Sequence, residues 1–519
     1  MMPAGLPVLA PQDAVAWDTL ATHSGFQLET LMDAAGRGAA VVLADRYQAE
    51  LGGGVIIAAG TGNNGGDGWV LARALSAAGV PVWVASLPGQ RAPLCAATAQ
   101  RAEASGVRSV AADGPWPSAA LVVDAILGTG AAGAPRPPAQ ALLNRIHELG
   151  VPVVALDGPT GLDLGTGVVH GQARADLSIT FGGPRRGHLL ARDEAGTIVV
   201  LDIGLPSPDP SWPRLVTDDW AAHHFPAFKS ADHKGTRGRI VIVGGAPGMS
   251  GAVRMAARSA FAAGAGYVHV VAPEPTVAEL RIAEPDVLTT ASPLSGSPDA
   301  EVQALVSRAD TLIIGPGLGR DDDRIPFVLA LVAAAQRVVA DADALTIFQG
   351  RTDVLTSALH GKAALLTPHP GEFRSLVPDL DSGREVDPWG AAQQAADRLG
   401  ATILLKGVPS IVATPGRAAW TVAAGNPGLG TGGSGDVLSG ICGAFLARLG
   451  DPGLAASLAA QALGRAGDLA ARRYSAHAMR PADVVQQLPD VWRDWETRRA
   501  LGGQVRPPVL AELAAPTII

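Results

Sequence analysis

Short apolar runs recur along this chain, each followed by a loop bearing glycine or aspartate and then by a helical stretch. In the first half, Gly54 to Ala59, Val80 to Ala85, Leu121 to Asp124, Val151 to Asp157, Leu177 to Phe181 and Thr197 to Leu201 read as strands. Gln27 to Tyr47 and Asp67 to Ala78 read as helices. Runs this short and this continuously apolar fit strands buried on both faces, the condition of a parallel sheet. The alternation predicts an α/β protein, with a largely parallel sheet covered by helices on both sides. The pattern breaks at Leu205 to Pro213, where four prolines in nine residues can continue neither a helix nor a central strand. It then restarts, with strands expected at Arg239 to Gly244, Tyr267 to Ala272, Thr311 to Ile314, Arg337 to Ala340, Ala363 to Leu366 and Thr402 to Leu405. Ser250 to Ala263 reads as a helix, and Asp436 to Tyr474 as a closing helical stretch. The 519 residues therefore predict two domains, 1–212 and 220–497, joined by a linker at 213–219 and followed by a peripheral tail at 498–519.

Composition narrows the partners. At 47% hydrophobic and 17% charged, the chain can bury large cores, and a net charge of -8 gives no global attraction to nucleic acid. Basic charge is almost all arginine; the lysines are Lys229, Lys234, Lys362 and Lys406, all in the second half. Cys95 and Cys442 are too few and too far apart for a disulfide framework or a zinc site, which fits a reducing cytosol and a cytoplasmic protein. Residues 1–18 hold no basic segment followed by an apolar core, so no signal peptide is expected. The apolar runs fall short of a membrane span, so no membrane partner is expected either.

The most chemical string is Thr431-Gly-Gly-Ser-Gly-Asp-Val-Leu-Ser-Gly440. Small residues let backbone amides converge on an anion, and the helix start adds its positive end. Asp436 stands where a base could take a hydroxyl proton while the amides of Gly433 to Gly435 hold developing charge, an arrangement suited to phosphoryl transfer. The competing reading is a glycine-rich turn with Asp436 as an ordinary helix cap. Other strings also fall at strand ends: Gly315-Pro-Gly-Leu-Gly319, Thr367-Pro-His-Pro-Gly-Glu372 with His369 stiffened between prolines, and Lys406-Gly-Val-Pro-Ser410.

In the first half, Thr61-Gly-Asn-Asn-Gly-Gly-Asp-Gly68 lies between a strand and a helix, where open parallel sheets bind ligands. It is neither a dinucleotide fingerprint nor a P-loop. Asp67 can cap the following helix. Asp124 and Asp157 end two further strands, and oxygen ligands such as Asn64, Asp124 and Thr160 suit a hard cation rather than zinc.

The first-half strings resemble the NAD(P)HX epimerase family over roughly residues 10 to 205, through the Asn-Asn-Gly-Gly-Asp-Gly loop, Val123-Asp-Ala-Ile-Leu-Gly-Thr-Gly130 and Asp157-Gly-Pro-Thr-Gly161. The resemblance implies a Rossmann-like three-layer αβα domain. It implies that Asn63, Asn64, Gly65, Gly66, Asp67, Gly128, Thr129, Gly130, Ala131, Ala132, Gly133, Ala134 and Asp157 contact a hydrated nicotinamide nucleotide. It also implies a potassium ion on Asn64, Asp124 and Thr160. The family more often has Ser at position 160 and a branched apolar residue at Gly158. Asp157 is the first candidate for the epimerase proton acceptor and Asp67 the second.

The second half resembles the ribokinase-like superfamily and, within it, the ADP-dependent NAD(P)HX dehydratases over roughly residues 220 to 495. His233-Lys-Gly235, Gly248-Met-Ser-Gly251, the Pro-His-Pro-Gly-Glu string and the Asp436 string all match. The resemblance implies an αβα kinase fold, with Lys406, Gly407, Val408, Pro409, Ser410 and Gly435 on the adenine nucleotide. Ala252, Gly317, His369 and Asp436 would contact NAD(P)HX, with Asp436 catalytic. Ser410 replaces a frequent Thr. Implied co-substrates and ions are ADP or ATP, magnesium in the second half and potassium in the first. The implied assembly is a homo-oligomer. Two readings stand beside this one: a ribokinase-like kinase of a small alcohol, and a first half that binds a nucleotide without turning it over.

Overall fold

In the computed structural model, which describes residues 5–380, 387–502 and 507–516, the chain forms two compact units. One holds Leu6–Trp212 and the C-terminal strand; the other takes up the chain from Pro213. The expected linker at 213–219 belongs to this second unit, since Arg214–Leu215 is a strand beside Trp420–Val422 and Asp218–His224 is a helix.

The first unit is built on an eight-stranded sheet. Its order is Val509–Leu513, Thr197–Leu201, Leu177–Phe181, Val153–Leu156, Leu121–Ala125, Val55–Ala59, Val82–Ser86 and Arg108–Ala111. Seven strands are parallel, and Val509–Leu513 pairs antiparallel with Thr197–Leu201. The tail expected to be peripheral thus carries a sheet strand, which covers an edge that would otherwise offer unpaired backbone groups. Residues 503–506 and 517–519 of that tail lie outside the described residues.

In the second unit the order runs Arg214–Leu215, Trp420–Val422, Ser410–Ala413, Thr402–Leu405, Ala363–Leu366, Arg337–Ala340, Thr311–Ile314, Arg239–Val243, Tyr267–Ala272 and Leu288–Ala291. The central strands are parallel, and Thr402–Leu405 to Ser410–Ala413 is an antiparallel hairpin. Arg108–Ala111 and Leu288–Ala291 show no apolar run in the sequence because each edges its sheet and stays partly exposed.

Both sheets reverse direction. In the first, the chain moves outward from Val55–Ala59, then returns to place Leu121–Ala125 on its other side. In the second, Arg239–Val243 and Thr311–Ile314 flank the same kind of reversal. Loops leaving the carboxyl ends of two such strands diverge to opposite sides, opening a crevice for ligand. The Asn63–Asn64 loop and residues 126–134 leave the first crevice; Gly244–Gly245 and Gly315–Gly317 leave the second.

Small residues bring the helix bearing Asp436 into place. Ser434–Leu449 lies against Ser250–Ala262 and the strand Thr311–Ile314. A Cβ at Gly440 would sit 2.1 Å from the Ala256 carbonyl oxygen, and one at Gly443 would sit 2.4 Å from Ile313 Cδ1. The helix accepts about 1 kcal/mol of glycine penalty at each position in return for this approach. Among the described residues no helix is long and apolar enough to cross a membrane. Cys95 and Cys442 are both free and buried.

Gly440→Ala should raise intrinsic helix propensity yet lower stability, because overpacking costs about 1–3 kcal/mol. Urea unfolding curves of the variant, with a midpoint below that of the parent, would show it; an equal or higher midpoint would contradict the packing argument.

Candidate active sites

The first site is a cavity of about 870 Å³ above the carboxyl ends of the first sheet. Asn63, Asn64, Asp67, Asp157 and the loop 128–134 line it, joined by Asp18 and Arg185. Gly65 and Gly66 do not line it. A Cβ at Gly65 would come 2.1 Å from the Gly60 carbonyl oxygen, and one at Gly66 would meet the Met32 thioether at 2.7 Å, so these glycines let the helix start pack closely. That helix, Asn63–Ala77, begins inside the glycine loop. Asp67 therefore sits in its second turn and faces the cavity instead of capping the helix.

Asp157 follows the strand Val153–Leu156 with a φ of 63°, a left-handed conformation that costs a non-glycine residue about 1 kcal/mol or more. Its Oδ2 accepts from the Thr129 amide and hydroxyl, both at 2.6 Å, and Arg185 Nη2 lies 3.1 Å from Oδ1. Burial alone would raise this carboxyl, but Arg185 and the Thr129 bonds overcome it and hold Asp157 below its ordinary range. Asp67 moves the other way: burial, then the charges of Asp157 and Asp18, push it well above the usual carboxylate value. Carboxyls driven apart in this way can divide acid and base roles.

Asp124 and Thr160 lie beneath the cavity, not on its wall. Asp124 is 1% exposed, and its donors are neutral: the Thr160 amide and hydroxyl at 2.7 Å each and the Ile126 amide at 3.1 Å. Burial pushes its carboxyl up to about 6 against those bonds. The amide nitrogen and oxygen of Asn64 are buried without a hydrogen-bond partner. A buried anion held by neutral donors and an orphaned amide oxygen together fit a bound monovalent cation.

The second site gathers loops from five strand ends. Gly245 and Ala246 donate their amides to the carbonyls of Pro316 and Gly317, which locks the first two glycine loops together. A Cβ at Gly317 would sit 3.3 Å from Ala252 Cβ, placing those two predicted contacts side by side. Ala252, Gly433 and Asp436 line a cleft of about 490 Å³ with Arg254 and Arg480. Gly433 is the N-cap of the Asp436 helix, in a left-handed conformation, and no side chain caps that helix start. Asp436 is in the first turn, not at the cap. The Ser434 amide donates to the Thr431 carbonyl, so it does not join the amides available to an anion as the sequence reading expected.

Beneath this turn lies a buried network. Asp341 Oδ1 accepts from Lys406 Nζ at 2.8 Å and Oδ2 from Ser439 Oγ at 2.6 Å. Ser439 is on the Asp436 helix, one turn on. Lys406 also lies 3.8 Å from Glu372 Oε2, whose carboxylate accepts the His369 amide at 2.8 Å. Nδ1 of His369 accepts from Gly371, so the side chain fixes its own loop. Gly407 and Ser410 close the neighbouring hairpin turn, with Val408 exposed at its tip. Burial raises Asp436, Asp341 and Asp343 raise it further, and Lys406 only partly opposes them, leaving it at about 7. Asp341 and Asp343 flank Ala342, whose φ is 49°. Asp343 holds Gly319 and Arg320 in turn.

The motif reading missed Asp341, Asp343, Arg185 and Asp18. Asp341 carried a usable signal, since Val338-Val-Ala-Asp-Ala-Asp343 puts two acids just past a strand end. Arg185 follows a glycine pair after a strand in the same manner. Asp18 lies in an ordinary amphipathic helix and carried none.

Comparison with known proteins agrees with both halves. Residues 240–490 match a family described as NAD(P)H-hydrate dehydratase, and residues 28–187 match the YjeF-related protein N-terminus. A bifunctional NAD(P)H-hydrate repair enzyme of Salinibacter ruber is 37% identical over 502 residues, covering 89% of this chain and 91% of that protein. One from Moorella thermoacetica is 35% identical, covering 85% of this chain and 88% of that protein. Among solved structures, an ADP/ATP-dependent NAD(P)H-hydrate dehydratase from Bacillus subtilis, crystallised with ATP and magnesium, is 25% identical with a TM-score of 0.48. It covers 54% of this chain and 98% of that one.

Asp341→Ala should strip Lys406 of its nearest counter-charge. Breaking a buried pair costs about 3–5 kcal/mol, and Glu372 at 3.8 Å should hold the loss near the lower figure. A urea midpoint unchanged from the parent would show that the pair does not hold this region.

Proposed function

This chain belongs to the bifunctional NAD(P)H-hydrate repair enzymes, and we propose that its two units divide that repair between an epimerase site and a dehydratase site. Hydration of the dihydronicotinamide ring leaves a hydroxyl on the carbon beside the ring nitrogen, in two epimers. The second unit removes water from one epimer; the first converts the other into it.

In the second unit, Asp436 accepts the proton of the ring hydroxyl as its oxygen attacks the terminal phosphoryl group of ADP or ATP. The bond from that phosphorus to the nucleotide breaks. Lys406 and the uncapped start of the Asp436 helix stabilise the phosphate charge, with Gly407 to Ser410 beside the nucleotide. The ring nitrogen then expels phosphate, and loss of a proton from the neighbouring carbon restores the double bond. Among the described residues no group of three or more His, Cys, Asp or Glu could hold a metal by itself. Magnesium fits here as the partner of the nucleotide phosphates, where it supplies positive charge. Ala252, Gly317 and His369 shape the substrate side. The observation that carries this reading is Asp436 in the first turn of an uncapped helix, above Lys406 and Asp341.

In the first unit, Asp67 holds a proton and Asp157 is ionised. Asp67 protonates the departing hydroxyl, and the ring nitrogen's electron pair forms an iminium. Water adds from the opposite face and gives its proton to Asp157. Asn64, Asp124 and Thr160 would hold potassium, whose charge offsets the buried Asp124. The loop 128–134 encloses the nucleotide. The protein acts on free nucleotides in the cytoplasm, and a homo-oligomer is the proposed assembly.

Both epimers of hydrated NADH, offered with magnesium and ADP or ATP, should return dihydronicotinamide absorbance completely. Asp436→Asn should lower the dehydration rate by about 10²–10⁴-fold. A base must be ionised, so the parent's kcat/KM should rise with pH and level off above about 7. A stable phosphorylated product without ring recovery would instead identify a small-molecule kinase. Conversion of one epimer alone would reduce the first unit to a binding module. Removing potassium should slow epimerisation and leave dehydration of the ready epimer intact; equal epimerisation in potassium-free buffer would remove the cation from this site.

A further inference from the structure

We infer that Arg185 is the positioning residue of the epimerase site: its guanidinium clamps the Asp157 carboxylate against Thr129 and keeps it in its anionic form. The inference rests on Asp157 being the epimerase base.

Arg185 is 6% exposed, and each edge of its guanidinium is engaged. Nη1 donates to the carbonyls of Gly183 at 2.7 Å and Phe181 at 3.2 Å, which anchors it to the end of the strand Leu177–Phe181. Nε donates to Thr129 Oγ1 at 2.8 Å. Nη2 faces Asp157 Oδ1 at 3.1 Å. Thr129 in turn donates to the other Asp157 oxygen. One side chain thus joins three segments that leave three adjacent strands. The acid that Arg185 meets directly on the cavity wall is Asp157, so its charge acts on that carboxylate. Gly128 is part of the same fit, because a Cβ there would come 2.7 Å from Asp157 Oδ2.

The other charged groups around Asp157 do not replace this role. Asp67, from the helix Asn63–Ala77, and Asp18, from Pro11–His23, are acids and would favour protonation of Asp157. His188, on the short helix Arg186–Leu190, is pushed down to about 3, chiefly by burial and further by Arg185 and Arg192. It is neutral at working pH. Arg185 is therefore the cation that faces the carboxylate directly.

The experiment follows epimer interconversion in the full chain by chromatography, with ADP and ATP omitted so that dehydration is idle, over about pH 3 to 9, a range that opens below the ordinary aspartate value of about 3.9. Asp157→Asn should abolish interconversion. In Arg185→Gln the acid limb of kcat/KM should move up by about one pH unit or more, since a nearby opposite charge lowers a carboxylate by about 1–3 units. Arg185→Lys should return the limb most of the way. Should Arg185→Gln fail to fold, Thr129→Val, which leaves the guanidinium in place, should move the limb in the same direction by less. A uniform loss of rate with the acid limb unmoved would make Arg185 a structural residue and overturn the proposal. An active Asp157→Asn would overturn the underlying reading of the base itself.

Discussion

A strand buried on both faces of a parallel sheet can carry charged side chains only near its ends. Along Val55–Ala59, Leu121–Ala125 and Val153–Leu156, and again along Thr311–Ile314 and Ala363–Leu366, the interior is apolar and almost fully buried. Asp124 is the exception inside a strand, and it lies one residue from that strand's carboxyl end. The chemistry of both units is forced to the carboxyl edge, where strand order reverses and loops diverge. Glycines at those edges are part of the same constraint. Without Gly244 and Gly315, whose Cβ atoms would collide with neighbouring carbonyl oxygens, the loops could not approach each other.

Gathering charge at buried strand ends costs desolvation, and the two units meet that cost alike. Asp157 is matched by Arg185, and Asp341 by Lys406. In both places a hydroxyl, from Thr129 or Ser439, bonds one carboxylate oxygen, and the cation lies against the other. These matched acids stay ionised. Beside each stands an acid without such a partner, Asp67 or Asp436, whose proton is held more tightly by burial and by its ionised neighbour. A paired acid next to an unpaired one is a simple way to obtain groups of opposite tendency from a single residue type. In the first unit the two tendencies become base and acid. In the second, the paired acid holds Lys406, and the unpaired one receives the substrate proton.

Much of the architecture was legible in the sequence. Leu177–Phe181, Thr197–Leu201, Tyr267–Ala272 and Thr402–Leu405 form where apolar runs predicted them, because a buried strand must be mostly apolar, and a polar side chain inside it, such as Ser178, needs a bonding partner there. Edge strands such as Arg108–Ala111 escaped notice because exposure relaxes that demand. Val509–Leu513 escaped for another reason: its partner, Thr197–Leu201, is some 300 residues earlier in the chain, and no local pattern encodes so distant a pairing. The Asp436, Lys406, Asn64 and Asp157 strings were visible because glycine and proline mark sharp loops.

By itself, then, the sequence determined the two α/β halves, the loops at strand ends and the family to which those loops belong. These follow from local rules: period, burial and backbone freedom. The tertiary structure alone decided which acids are paired and which are not. Asp341 finds Ser439, 98 positions later, only once its strand and the Asp436 helix pack together, and Asp157 finds Arg185, 28 positions later, only once their strands lie side by side. Protonation depends on distance and desolvation, which exist only after folding; identical aspartates at similar strand ends can therefore take opposite roles.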